Sequence, residues 1–146
     1  MRVRLATLVM VLAVASLATA CWGGPIKYDF GINARDVKAM NQLQMTNTTL
    51  SPKNGSLLQM TVTVTNQRSD LAAFSPDDLR LETGGHAYFP VMTWQAGSTP
   101  ENRVYVPAEL NPGQKVEWTV LYDVPAKTTA GSISLLDGQT FAIRVP

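Results

Sequence analysis

Few residues in this chain are able to do chemistry by type alone: one cysteine (Cys21), one histidine (His86), an adjacent acid pair (Asp77-Asp78) and six methionines. A serine or cysteine nucleophile needs a base beside it, and His86 would have to serve every such arrangement. It follows Gly84-Gly85 in a stretch that reads as a turn, where a histidine is ordinarily just solvated. Asp77-Asp78 follow Ser75-Pro76, the pattern of a helix start: serine caps, proline suits the first helical position, and acids complement the positive end. No glycine-rich phosphate cradle and no zinc-ligand spacing occurs. Thioethers with imidazole suit copper in an oxidising compartment. Met60 falls on a predicted core face, however, and Met40, Met45 and Met92 lack close spacing, so gap-filling is their expected role. The inventory points to a protein that is not an enzyme and that needs neither cofactor nor metal.

Cys21 is the exception, because of what precedes it. Residues 1–20 open on MRVR and continue through an uncharged, mostly apolar run to Ala20. That is the layout of a secretory signal peptide: charged start, apolar middle, small residues before the cleavage point. The run falls short of the roughly 20 apolar residues of a permanent membrane span. Ala18-Thr19-Ala20 suits an ordinary signal peptidase, while small residues directly before a cysteine resemble a bacterial lipobox, although Ala18 stands where leucine is usual. In the lipoprotein route Cys21 is acylated and becomes the new N-terminus, with residues 21–25 a short tether. The competing reading is a free or intermolecularly paired thiol in a secreted or periplasmic protein. With one cysteine no internal disulfide can form, so the domain must be held by its core.

Removal of Arg2 and Arg4 with the signal leaves ten Lys or Arg against eleven Asp or Glu, scattered without runs of one sign. Such a chain carries no electrostatic footprint for nucleic acid. Residues 26–146 suffice for one domain.

That domain reads as all-β. In LLQMTVTVTN, Leu58, Met60, Val62 and Val64 share one face and Gln59, Thr61, Thr63 and Thr65 the other. KVEWTVLYDVP repeats the alternation, with Val116, Trp118, Val120, Tyr122 and Val124 on one side and Leu121 the only large apolar residue out of phase. Trp118 and Val62 are therefore expected to meet across two layers, with Thr119 on the outer face. IKYDFGI and TFAIRV supply the first and last strands. Asn111-Pro112-Gly113 reads as a tight turn, as does Asp137-Gly138, and Gly84-Gly85 between two strand-like runs reads as a hairpin. Residues 40–56 are polar, with Pro52 and Gly55, and read as a long connection; residues 92–107 read as irregular. Many short strands with turns between them imply a two-layer antiparallel sandwich of about seven to nine strands.

The candidate partner-binding residues are Tyr88, Trp94 and Tyr105, on or beside the segment between Pro90 and Pro107. Loops on a rigid β-scaffold carry binding, and aromatic anchors carry much of its energy. Trp94 stands among Thr93, Gln95, Ala96 and Gly97, which offer no apolar face to bury it, so part of its ring is expected to be accessible. For Tyr88 and Phe89 the competing role is to plug the open end of the core.

The order of these features resembles the DUF4352 family of bacterial secreted and lipid-anchored domains, related to MPT63-type extracellular antigens. The resemblance rests on VTVTN ending at Asn66, on AAFSPDDLRLETGGHAYFP, and on LNPGQKVEWTVLYDVP. It implies an immunoglobulin-like β-sandwich and leaves the activity open. Residues and resemblance together give the expectation: an extracytoplasmic domain held to the membrane by a lipid at Cys21, binding a protein or envelope component through end loops. The alternative is a secreted peptidase inhibitor using the Pro90–Pro107 segment.

Overall fold

The computed structural model describes residues 29–100, 108–135 and 139–146. In chain order the strands are β1 (Phe30–Met40), β2 (Leu43–Gln44), β3 (Thr49–Leu50), β4 (Gly55–Asn66), β5 (Ala72–Phe74), β6 (Arg80–Thr83), β7 (His86–Tyr88), β8 (Met92–Gln95), β9 (Ala108–Leu110), β10 (Lys115–Pro125), β11 (Ala130–Ser134) and β12 (Phe141–Arg144). A 3₁₀ turn spans Pro76–Asp78. Two four-stranded antiparallel sheets, ordered β1-β4-β10-β8 and β12-β11-β6-β7, pack face to face as an immunoglobulin-like sandwich. The excess over nine strands comes from short pairs at the margins, β2-β3 and β5-β9.

The alternation read from the sequence sets the core. Leu58, Met60, Val62 and Val64 of β4, with Trp118, Val120, Tyr122 and Val124 of β10, are buried against Leu79, Leu81, Ile133 and Ile143 from the opposite layer. Trp118 and Val62 do not meet across the layers as expected. They are direct partners in one sheet, because β4 and β10 pair along their whole length, from Lys115↔Thr65 to Pro125↔Gly55. The layers are tied by the Tyr122 hydroxyl, which donates to the Leu79 carbonyl at 3.1 Å. Burial pushes that phenol's pKa well up, so it stays a donor.

The end of the sandwich near Phe30 is closed by β5 and β9, with Phe74 tilted against Phe30 at a ring separation of 5.7 Å. Asn66 organises this end. It is completely buried, and its side-chain amide donates to the carbonyls of Asp70 and Leu110 at 2.8 Å while its oxygen accepts from the Arg68 amide at 2.9 Å. Its backbone bonds the Asn111–Gln114 turn, where Gly113 takes the positive φ of 74° that the turn requires. The opposite end carries the β6–β7 hairpin, whose corner residues Gly84 and Gly85 have φ of 58° and 78°, the signature of a type I′ turn. Ser75 caps the 3₁₀ turn as read from the sequence, accepting from the Asp77 amide.

Two expectations need correction. Residues 40–56 are not a bare connection: β2 and β3 pair there, Thr49 bonds Gln44 side chain to side chain, and the Met45 amide closes the turn onto the Thr48 carbonyl. Residues 92–95, read as irregular, form an edge strand on β10. A four-residue strand at a sheet edge leaves too short an alternation to stand out from its surroundings. The described part of the first strand runs from Phe30 through NARDVKAM to Met40, across a bulge between Arg35 and Lys38, and Ile26 to Tyr28 lie outside the described residues. The expected turn at Asp137-Gly138 lies outside the described residues.

Candidate interaction site

The β7–β8 connection, Phe89-Pro90-Val91, crosses from the edge of one sheet to the edge of the other. Of the three predicted binding aromatics, two flank it. Tyr88 is half-buried and packs on the main core. Trp94 is only 5% exposed, which overturns the expected accessible ring. It sits beside Thr119 on the outer face of the first sheet, in a second apolar cluster with Leu57, Met92 and Leu121. Met40, Leu43, Met45 and Leu50 pack over that cluster, so the cover comes from residues 40–50, distant in sequence. Leu121, out of phase in the sequence, is explained: its face is buried too. Tyr105 and Cys21 lie outside the described residues.

Exposure falls instead on Phe89 (56%) and Val91 (46%). The signal was present in the sequence. Successive strand residues point to opposite faces, so Tyr88 turned inward sends Phe89 outward. Val91 is fixed by its amide, which donates to the Leu121 carbonyl at 2.8 Å, so the pair of apolar side chains stands on an anchored segment.

A second feature is a groove of about 610 Å³ at the β6–β7 hairpin end, lined by Glu82, Thr83, His86, Gly131 and Ser132 among others. Thr83 donates across it to the Ala130 carbonyl at 2.7 Å, and Gly131 has no room for a Cβ, which would meet the Glu82 carbonyl oxygen at 2.7 Å. His86 is exposed here, as its turn position implied. Among the described residues no three His, Cys, Asp or Glu side chains converge as a metal site. Met40, Met45 and Met92, widely spaced in the sequence, gather in and around the apolar cluster that holds Trp94.

Comparisons with known proteins agree with this architecture. The yjhA protein from Bacillus subtilis is similar in structure at 12% identity and a TM-score of 0.54, over 85% of this chain and 97% of that one. MPT63, a secreted protein from Mycobacterium tuberculosis, is similar at 17% identity and a TM-score of 0.50, over 79% of this chain and 82% of that one. At these identities the likeness is one of fold. No curated protein matches the sequence. The model of a family described as a domain of unknown function, DUF4352, matches residues 28–142, and the chain therefore belongs to the DUF4352 family.

Proposed function

We propose that the protein is an extracytoplasmic, non-catalytic interaction module, held at the membrane by a lipid on Cys21 and meeting a protein or envelope component through the anchored apolar connection Phe89-Pro90-Val91. The observation that carries the reading is the placement of Cys21. It follows an apolar segment ending in small residues and precedes by a short stretch the first strand of a disulfide-free sandwich. Acyl chains contribute about 0.8 kcal/mol of membrane association per buried methylene, so a doubly or triply acylated terminus holds such a domain durably. The secreted character of MPT63 and the absence, among the described residues, of a helix long and apolar enough to cross a membrane are compatible with this location. The peptidase-inhibitor alternative loses support, since Met92–Gln95 are committed to a strand and leave less of the Pro90–Pro107 segment free.

Metabolic labelling with a clickable fatty acid tests the anchor. The wild-type protein should take up label and sediment with membranes, and Cys21→Ser should do neither. An unlabelled wild-type protein refutes the lipoprotein reading. For the surface, a photocrosslinking residue at position 89 should yield a discrete adduct in cells that the same residue at Glu109, an exposed position, does not. Adducts of equal intensity at both positions would refute the assignment to this connection.

A further inference from the structure

Part of the outer face of the first sheet is covered by a strap, residues 41–54, and two of the four apolar side chains packed there, Met40 and Met45, are thioethers. Beneath it Leu57, Met92, Trp94 and Leu121 are buried. The strap's two strands pair with each other, Leu43↔Leu50 and Gln44↔Thr49, rather than joining the ladder of the sheet below. Its seat on the sheet is made by the side chains of Leu43, Met45 and Leu50, with Met40 at the hinge where β1 ends. At its far end the Asp123 carboxylate accepts the amides of Lys53 and Asn54 at 2.7 and 2.9 Å. A cover fastened by polar bonds at one end and by apolar packing along its length opens when that packing turns polar.

Two of the packing side chains can turn polar. Met40 and Met45 are half-buried, at the rim of the cluster, whereas Met92 is nearly covered and Met60, in the main core, is fully buried. Reagents in solution reach the rim first.

We propose that Met40 and Met45 are a peroxide-oxidation site, and that sulfoxide formation there releases strap 41–54 from the face carrying Trp94. In the reaction hydrogen peroxide gives one oxygen to the thioether sulfur: the O–O bond breaks, an S–O bond forms, sulfur loses two electrons, and water leaves. The product is a polar, chiral side chain packed against Leu57, Met92, Trp94 and Leu121, whose surfaces are apolar apart from the Trp94 indole N–H. Reduction by methionine sulfoxide reductase reverses the step.

The test treats the protein with dilute hydrogen peroxide and follows each methionine by peptide mass spectrometry. Sulfoxide should appear at Met40 and Met45 before Met92, and last at Met60. In step with it, chymotryptic cleavage at Leu43 and Leu50 should quicken by about tenfold or more. The Met40→Leu/Met45→Leu variant, close in volume and unable to oxidise, should show no peroxide-dependent rise. If that variant does not fold, reductase treatment of the oxidised wild-type protein decides: restored resistance supports the switch, and persistent cleavage overturns it. Equal oxidation rates at Met45 and Met60, or sulfoxide at both rim positions with cleavage unchanged, also overturn it.

Discussion

One sheet carries two apolar clusters, one on each face, and they are built by different means. The inner cluster joins alternating residues of β4 and β10 to the second layer, and each strand contributes four or more side chains at a period of two. The outer cluster takes one residue each from β4 and β10, Leu57 and Leu121, and two from the short β8, Met92 and Trp94, and is covered by a strap that pairs with itself. Burial on the inner face follows from local pattern, while burial on the outer face depends on a segment folding back over it. The first should behave as the global unit of stability and the second as a subunit that opens on its own.

The sharpest way to break that distinction is in the inner cluster. Trp118→Ala removes the largest side chain of the β10 inner face and should cost about 3–5 kcal/mol in urea melts, with all probes unfolding together. The indole Nε1 is buried without a hydrogen-bond partner among the described residues. Trp118→Phe removes that orphan donor and most of the cavity penalty at once, and should cost under about 2 kcal/mol. Equal losses for Ala and Phe would mean that the nitrogen has a partner that stabilises it.

Next comes Trp94. Trp94→Ala empties the outer cluster, where the strap can settle partly into the space, and should cost about 2–4 kcal/mol. Hydrogen exchange should quicken across residues 41–54 while the amides of β4 and β10 keep their order of protection. Unchanged stability, with the ring strongly quenched by acrylamide in the wild-type protein, would put Trp94 back on the surface and dissolve the outer cluster.

How far each region was legible in the sequence follows from the same contrast. The alternation of β4 and β10, the Asn111–Gln114 and Gly84-Gly85 turns and the Ser75 cap all depend on neighbours a few residues apart, and all were readable. An accessible Trp94 was expected because, apart from Met92, the side chains that bury it are far off in sequence: Leu57 and Leu121 in its cluster and Met40, Leu43, Met45 and Leu50 over it. The clues were small breaks in phase, Leu57 beside Leu58 and Leu121 between Val120 and Tyr122, which mark a strand apolar on both sides. Of the two residues with a core plug as competing role, Tyr88 packs on the core and Phe89, just past the end of β7, is exposed. The covering role of residues 40–50 had little signal: Asn and Thr dominate them, and four spaced apolar side chains, Met40, Leu43, Met45 and Leu50, carry the contact.

Beyond the strap the outer face is open to water, and the smallest predicted effect lies there. The Arg35 guanidinium donates to Glu117 Oε2 at 2.9 Å and the Thr63 hydroxyl donates to Oε1 at 3.1 Å. Both contacts favour the carboxylate, the arginine more, and hold the Glu117 pKa below its ordinary 4.5. A folded-state value depressed below the unfolded one stabilises the fold above the unfolded pKa, and that contribution is lost as pH falls through the folded value. Because Arg35 and Glu117 are exposed, water and salt screen the pair, and Glu117→Gln should shift the melting temperature least of these variants. Carbon-detected NMR of the Glu117 carboxyl is the direct measurement: its midpoint should fall below 4.5 and move back towards it in Arg35→Gln, with a smaller return in Thr63→Val. A midpoint at 4.5 with Arg35 present would mean that the pair does not form in solution, and that this half of the outer face is held by the Thr61, Thr63 and Thr119 strands alone.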